Sequence, residues 1–144
     1  MSAVPSATPA RSKTIATWLA LLGGSLGLHR FYLLGWRDPW AWLHPWPTLV
    51  GAYGFWRLRQ FGTDDLLDSR LVPLLGAMLA VGMLAAIVYG LAPAERWRVR
   101  FGERGAGTGW MTIIGVVVAL AVGATATMAS IAYTAQRYFE LRGP

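Results

Sequence analysis

The strongest constraint on this chain is the placement of its charged residues, which leaves four long stretches without a formal charge. They cover residues 14–29, 39–56, 71–94 and 105–136. Crossing the hydrocarbon layer of a membrane takes roughly 20 mostly apolar residues, because about 30 Å must be covered at about 1.5 Å per residue. Two of the stretches exceed that length and two fall just short of it. The chain is therefore predicted to be an integral membrane protein.

Composition supports this prediction and narrows it. Of the 144 residues, 55% are hydrophobic and 14% are charged, whereas soluble domains average about 25% charged residues. The net charge of +6 is attributed to loop arginines held near anionic lipid headgroups, and nucleic acid is not expected as a partner. Because the chain contains no cysteine, neither a disulfide framework nor a thiolate ligand is expected.

Proline positions define the expected helix ends. Asp38 and Pro39 are typical of a helix start, Pro73 lies in a first turn, and Pro93 ends a helix. The fold class is predicted to be all-α, an integral membrane four-helix bundle made of two transmembrane hairpins. The expected membrane-crossing helices run near 14–34, 41–57, 71–92 and 110–133. The expected regions are a disordered tail (1–12), a first hairpin (13–60), a polar connection (61–70), a second hairpin (71–135) and an exposed end (136–144).

Two of these regions carry finer expectations. Pro45 and Pro47 each remove a backbone hydrogen bond, which predicts an interfacial turn followed by a short, kinked second helix ending near Trp56. Three acidic residues in the polar connection are interpreted as a solvated loop, with the last of them, or Ser69, capping the third helix. These acidic residues are Asp64, Asp65 and Asp68.

Small residues recur every fourth position along three of the predicted helices, where they permit close backbone approach in lipid. Packing within the bundle is the favoured interpretation, and association with another subunit remains open for part of the stripe. The positions are Ala16, Ala20 and Gly24 with Gly23 and Gly27 in the first helix, Gly82, Ala86 and Gly90 in the third, and Gly115, Ala119, Gly123 and Thr127 in the fourth.

One motif carries a resemblance to a known family. The matching residues are Lys13, Leu21-Leu22, Gly24, Gly27, His29-Arg30-Phe31-Tyr32-Leu33, Gly35, Gly51, Gly54 and Trp56. Over about residues 13–60 the chain resembles the TM2 domain, a membrane hairpin whose glycine-rich first helix runs into a His-Arg-Phe-Tyr loop. Leu34 interrupts the usual Leu-Gly pair, and Arg57-Leu58-Arg59 stands where an acidic residue is usual. The resemblance implies a bacterial-type membrane hairpin without a settled biochemical activity.

The chemistry of the motif can also be considered residue by residue. Arg30 can bind a phosphate or carboxylate, while Phe31 and Tyr32 can anchor in the boundary layer of a membrane. Proton transfer through His29 is a further alternative, and the simplest interpretation of the motif is an interfacial anchor and turn. The predicted contact set for a partner or lipid is Gly24, Gly27, His29, Arg30, Phe31, Tyr32 and Gly35.

Three function classes fit these observations. The favoured class is a noncatalytic scaffold or accessory subunit that binds anionic membrane lipids, a membrane protein complex or a second copy of itself. The alternative is a small oligomeric channel or transporter, although such proteins usually place ionisable groups inside the membrane. A lipid-directed enzyme would have only His29, Tyr32 and His44 available, so no catalytic, cofactor or metal site is predicted. The expected location is the bacterial inner membrane.

Orientation in the membrane is not decided by the arginine count. With four crossings both ends of the chain share one side, and the two sides hold seven and six basic residues, which is too close to apply the positive-inside rule. The arginines of 96–100 and the resemblance favour a cytoplasmic His-Arg-Phe-Tyr loop and outside ends. The side with seven holds Arg11, Lys13, Arg57, Arg59, Arg70, Arg137 and Arg142, and the other holds Arg30, Arg37, Arg96, Arg98, Arg100 and Arg104.

Overall fold

The computed structural model describes residues 10–62, 66–102 and 105–143, and within these ranges all regular structure is helical. This confirms the all-α class. Most of the predicted tail, together with Asp64, Asp65 and Arg104, lies outside the described residues. The helices are α1 (Lys13–Gly23), α2 (Leu28–Leu34), α3 (Pro39–Leu43), α4 (Pro45–Phe61), α5 (Asp68–Leu91), α6 (Ala94–Phe101) and α7 (Trp110–Arg142), with a 3-10 turn (Gly24–Leu26) between α1 and α2.

Helix α5 is the centre of the fold, and α1, α4 and α7 all pack against it. It runs antiparallel to α7, since Gly76 lies against Ser130 near one end and Gly123 against Met83 farther along. In the described part of the chain, α5 and α7 are the two helices long and apolar enough to cross a membrane, judged by length and composition. The predicted four-crossing bundle is therefore not confirmed.

The first predicted helix, 14–34, is not one helix, and that prediction is wrong. Gly27 has a φ of 77°, which lies in the left-handed region that glycine adopts without steric cost. The chain reverses there, and α2 returns along α1 until the Tyr32 hydroxyl accepts a hydrogen bond from the backbone N–H of Ser12 (2.9 Å). Helices α1 and α2 thus form a short hairpin, which we call the N-terminal hairpin.

The second predicted helix, 41–57, appears in the structure as α3 and α4. His44 between them has helical dihedral angles (φ −59°, ψ −42°), and Pro45 and Pro47 cannot donate the hydrogen bonds that would continue the α-helical ladder. Helix α4 continues to Phe61, beyond the predicted end at Trp56. Its glycines face the backbone of α5, with Gly51 against Leu75.

The N-terminal hairpin and α4 lie end to end along α5. The Lys13 ammonium donates a hydrogen bond to the Ala92 carbonyl (2.7 Å), just past the end of α5, and Gly24 meets Gly82 farther down the helix. Helix α4 covers the other half, where Gly54 contacts Leu71. Both halves of the expected first hairpin therefore pack against α5, which belongs to the expected second hairpin.

This packing separates the two ends of the described chain. Lys13 lies at the C-terminal end of α5, whereas Arg137 of α7 lies 3.6 Å from Asp68 at the N-terminal end of α5. The start of α1 and the end of α7 are thus at opposite ends of the central helix. The expectation that both ends share one side of the membrane rests on four crossings, which are not confirmed.

The segment that joins the two long helices of the predicted second hairpin contains a helix, α6, that the sequence analysis missed. Trp97 of α6 is buried (2% exposed), and its indole N–H donates to the Arg11 carbonyl (2.8 Å). Its ring also packs against Tyr89 and Phe101. Helix α6 therefore covers the start of α1 and closes this end of the bundle.

The bundle interior consists mainly of small side chains, and its outer surface is apolar. Ala16, Ala86 and Ala119 are fully buried, whereas Leu84 and Leu120 on the outer faces of α5 and α7 are about 60% exposed (60% and 61%). Large apolar patches are uncommon on soluble monomers and mark contact with a membrane or a partner. The exposed surface of the two long helices thus supports a membrane protein.

Candidate functional site

The candidate site is the end of the bundle formed by the N-terminal hairpin, the loop that follows it, and α6. The hairpin is fixed by two glycines of the motif. A Cβ on Gly24 would lie 2.6 Å from the Cα of Gly82, and one on Gly27 would lie 2.8 Å from the Ala41 carbonyl oxygen. Both positions are closed to larger side chains, so these glycines serve close packing.

Arg30 is engaged within the chain. Its Nε donates to Asp38 Oδ2 (2.7 Å), and Asp38 Oδ1 accepts from the Trp40 N–H at the start of α3. The hydrogen bond from Arg30 lowers the pKa of Asp38 below its ordinary value. The pair ties α2 to α3 across the loop that begins at Gly35, whose φ of 83° ends α2.

Phe31 belongs to an exposed group of three rings that we call the aromatic cluster. Its ring centroid lies 5.2 Å from that of Trp36 and 5.2 Å from that of Trp42. The Trp42 indole N–H donates to the Trp36 carbonyl (3.0 Å). Trp36 is 73% exposed and Trp42 54% exposed. Indole rings concentrate at the boundary between headgroups and acyl chains.

Tyr32 holds the start of α1. Besides accepting from Ser12, its ring lies under the guanidinium of Arg11, whose Cζ is 5.1 Å from the ring centroid. This is a cation–π contact. Tyr32 thus joins α2 to the segment that α6 also covers.

His29 is buried (3% exposed). Its ring lies between those of His44 (5.9 Å between centroids) and Tyr89 (5.6 Å), and its Nδ1 has no hydrogen-bond partner among the described residues. His44 is satisfied differently, because its Nδ1 lies 2.7 Å from the Trp40 carbonyl and must donate to that acceptor. The two imidazoles are in ring contact, and within the described part of the chain no hydrogen bond joins them.

The small residues predicted to pack the bundle are buried between helices. Gly90 lies against Val116, Gly115 against Thr17, and Gly123 against Met83. Ala86 and Ala119 are fully buried, and Gly82 makes the contact with Gly24. Each of these residues lies at an interface between α5, α7 and α1.

Sequence reasoning missed a buried polar cluster at the other end of α5. Asp68 is fully buried, is the first residue of α5 with Leu67 at the N-cap position, and accepts a hydrogen bond from the Tyr133 hydroxyl (2.8 Å). Arg137, which is 5% exposed, faces it at 3.6 Å and also donates to Glu140 (2.8 Å). The interpretation of Asp68 as a helix cap in a solvated loop is therefore wrong. Its position 65 residues before Tyr133 left no local signal in the sequence.

Helix α6 adds a group of exposed arginines that we call the arginine cluster, comprising Arg96, Arg98 and Arg100. Arg98 is paired with Glu95 (3.4 Å). Arg96 and Arg100 are one turn apart and line a cavity of about 370 Å³ between α6 and the last turn of α5. This end of the bundle therefore combines positive charge with the aromatic cluster.

The described residues contain no group of three or more His, Cys, Asp or Glu side chains that could hold a metal ion. The arrangement of the site offers rings, apolar surface and guanidinium groups, which suit binding at a membrane boundary. Comparison with protein-family models, curated proteins and solved structures finds no match for this chain.

Proposed function

We propose that this chain is a noncatalytic, multi-pass membrane protein that acts as a scaffold or accessory subunit, binding partner membrane proteins or anionic lipids. The observation that carries the proposal is the presence of the exposed aromatic cluster and the arginine cluster at one end of α5. Rings of this kind anchor at the membrane boundary, and arginines there attract anionic headgroups. The two together make a surface for binding at that boundary.

We infer three membrane crossings, made by α5, α7 and the joined pair α3–α4. The pair covers residues 39–61, and its longer member, α4, packs against the N-terminal half of α5, which supports counting the pair as a crossing. The N-terminal hairpin enters from the end where α6 lies and returns to it. By resemblance to a bacterial-type hairpin, the membrane is the bacterial inner membrane.

The engagement of the motif residues supports a role in assembly. Arg30 is paired with Asp38, Tyr32 holds Ser12, and His29 is buried. These contacts stabilise the hairpin and leave its exposed rings as the surface that a partner can meet. A catalytic role would require some of these polar groups to face a substrate.

The test is purification in mild detergent followed by mass spectrometry of the bound proteins and lipids. Trp36→Ala removes an exposed ring of the aromatic cluster and keeps the carbonyl that Trp42 uses. Trp110→Ala is the matched control, because Trp110 is similarly exposed (78%) and lies outside the cluster. We expect Trp36→Ala to lower the bound partner or lipid and Trp110→Ala to leave it unchanged.

Two results would overturn the proposal. One is that the wild type, Trp36→Ala and Trp110→Ala all retain no more protein or lipid than a control membrane protein does. The other is ion or solute flux through liposomes that rises with the amount of the protein, which would favour the channel alternative.

A further inference from the structure

The cavity between α5 and α6 has an apolar side and a side with two arginines, and the proposed function assigns no ligand to it. One wall of the cavity is apolar and is formed by the last turns of α5, where Val88 is 56% exposed and Leu91 is 65% exposed. On the α6 side the cavity is lined by two arginines, Arg96 and Arg100, which we call the rim arginines. Trp97, buried under α6, also lines it. The cavity thus has a charged rim on the α6 side and an apolar wall on the α5 side.

The two rim arginines are not neutralised within the described residues. The ion pairs there involve Arg30, Arg98 and Arg137, and Arg96 and Arg100 are in none of them. Arg100 has its Cζ 5.4 Å from the Phe101 ring centroid, a contact that orients the guanidinium without cancelling its charge. Residues four apart on a helix have side chains on one face. Arg96 and Arg100 therefore share the face of α6 that lines the cavity.

The position of the cavity specifies what can fill it. Helix α5 ends at Leu91, Pro93 turns the chain, and α6 begins at Ala94. If α5 crosses the membrane, the rim lies at headgroup depth and the wall at acyl-chain depth. An occupant must therefore carry negative charge at the boundary and apolar chain below it.

We propose that the cavity between α5 and α6 binds an anionic phospholipid, with its phosphate held by Arg96 and Arg100 and an acyl chain lying along Val88 and Leu91. Guanidinium groups match phosphate oxygens with paired hydrogen bonds. This inference rests on the proposed membrane function and names the lipid class and the residues that bind it.

The experiment measures binding of phosphatidylglycerol and phosphatidylcholine to the full chain in detergent by native mass spectrometry. The test variant is the double substitution Arg96→Ala and Arg100→Ala. Arg98→Ala is the control, since it removes one positive charge from the same helix and Arg98 is not among the residues that line the cavity. We expect the double variant to bind phosphatidylglycerol roughly tenfold or more weakly, because two charge-assisted contacts are lost. Arg98→Ala should stay within about twofold of the wild type, because Arg98 does not line the cavity and is paired with Glu95 at an exposed position, where an ion pair contributes little.

A second variant tests the apolar wall. Leu91→Ser changes an exposed side chain, so the fold is retained, and it should weaken phosphatidylglycerol binding while leaving binding of glycerol phosphate unchanged. If glycerol phosphate or inorganic phosphate displaces the lipid at equal concentration, the site is one for free phosphate and the proposal is overturned.

Two other outcomes also overturn the inference. One is an equal loss of binding with Arg98→Ala and with the double variant, which would show general surface charge. The other is equal binding of phosphatidylcholine and phosphatidylglycerol. Either would leave the proposed scaffold function in place, provided that partners still copurify. If no partner copurified with the wild type, that result would instead count against the scaffold function.

Discussion

Gly24 and Gly82 lie backbone to backbone where α1 ends against the middle of α5. A Cβ on Gly24 would stand 2.6 Å from the Cα of Gly82, and a Cβ on Gly82 would stand 2.9 Å from the carbonyl carbon of Gly24. The obstacle is main chain in both directions, so a side-chain rotation cannot relieve it. This contact fixes the turn of the N-terminal hairpin against α5.

Gly24→Ala should therefore destabilise the bundle by about 1–3 kcal/mol, the usual range for an overpacked interior. Thermal unfolding in detergent, followed by circular dichroism, measures the effect. Gly107→Ala is the matched control, because nothing lies within 4 Å of a Cβ at Gly107. Equal melting temperatures for the two variants would show that the backbone contact does not hold the hairpin in place.

Asp68→Asn should lower the melting temperature by several degrees. The substitution keeps an oxygen for the Tyr133 hydroxyl and removes the negative charge that faces the buried Arg137 guanidinium. Arg137 would then be paired only with Glu140, which is largely exposed, and a buried charge that loses a buried partner is costly, whereas an exposed ion pair contributes little. Glu95→Gln breaks the exposed pair with Arg98 and should leave the melting temperature nearly unchanged. A loss as large for Glu95→Gln would contradict the prediction.

The Arg30–Asp38 pair gives a pH dependence of defined sign. Because Arg30 lowers the pKa of Asp38 in the folded chain, the pair stabilises the fold above the unfolded carboxyl pKa of about 3.9. Its contribution is lost as the pH falls through the lower folded value. Asp38→Asn keeps the capping acceptor for Trp40 and removes the charge.

The wild type should therefore melt at a higher temperature than Asp38→Asn by a constant margin from about pH 7 to about pH 5, and the margin should close below about pH 4. Melting curves across this range, in one detergent and at one salt concentration, provide the measurement. If the difference in melting temperature between the wild type and Asp38→Asn persisted at the lowest pH, the effect of the substitution would not come from the carboxylate charge.

Reporter fusions before Lys13 and after Pro144 should report opposite sides of the membrane. With three crossings, the end of the bundle that contains α6 holds seven of the described basic residues and the other end holds five, so the positive-inside rule favours the α6 end as cytoplasmic. The first group is Arg11, Lys13, Arg30, Arg37, Arg96, Arg98 and Arg100, and the second is Arg57, Arg59, Arg70, Arg137 and Arg142.

The fusion before Lys13 is thus expected in the cytoplasm and the fusion after Pro144 outside. A third fusion, within the connection that follows α6, should agree with the first. Reporters at both ends that give the same signal would restore an even number of crossings.

The long helices could be predicted from the sequence because their signals are local. The charge-free run of 71–94 with its flanking prolines predicted α5 within a few residues, and the run from Trp110 predicted the start of α7. The break of the first helix could not be predicted in the same way. Gly27 is compatible with a helix, and its left-handed conformation depends on α3, since Ala41 and His44 close against it.

The candidate site was predictable only in part for the same reason. The His-Arg-Phe-Tyr motif indicated which residues matter, but the partner of Arg30 depended on how the loop folds back. Helix α6 has a mostly charged surface and a single buried anchor, Trp97, so its sequence resembles that of a solvated connection. The pairing of Asp68 with Arg137 joins residues far apart in the chain and has no periodic signal.

The central position of α5 also bears on the order in which this protein is made. A ribosome completes residues 13–61 before any of α5 exists, so the glycine faces of α1 and α4 emerge without the surface on which they pack. The segment that resembles a TM2 hairpin is consequently not a self-contained unit in this chain. The segment can complete its packing only after residues 68–91 have been made. A nascent chain halted before them leaves the glycine faces of α1 and α4 exposed to lipid or to a membrane-insertion factor.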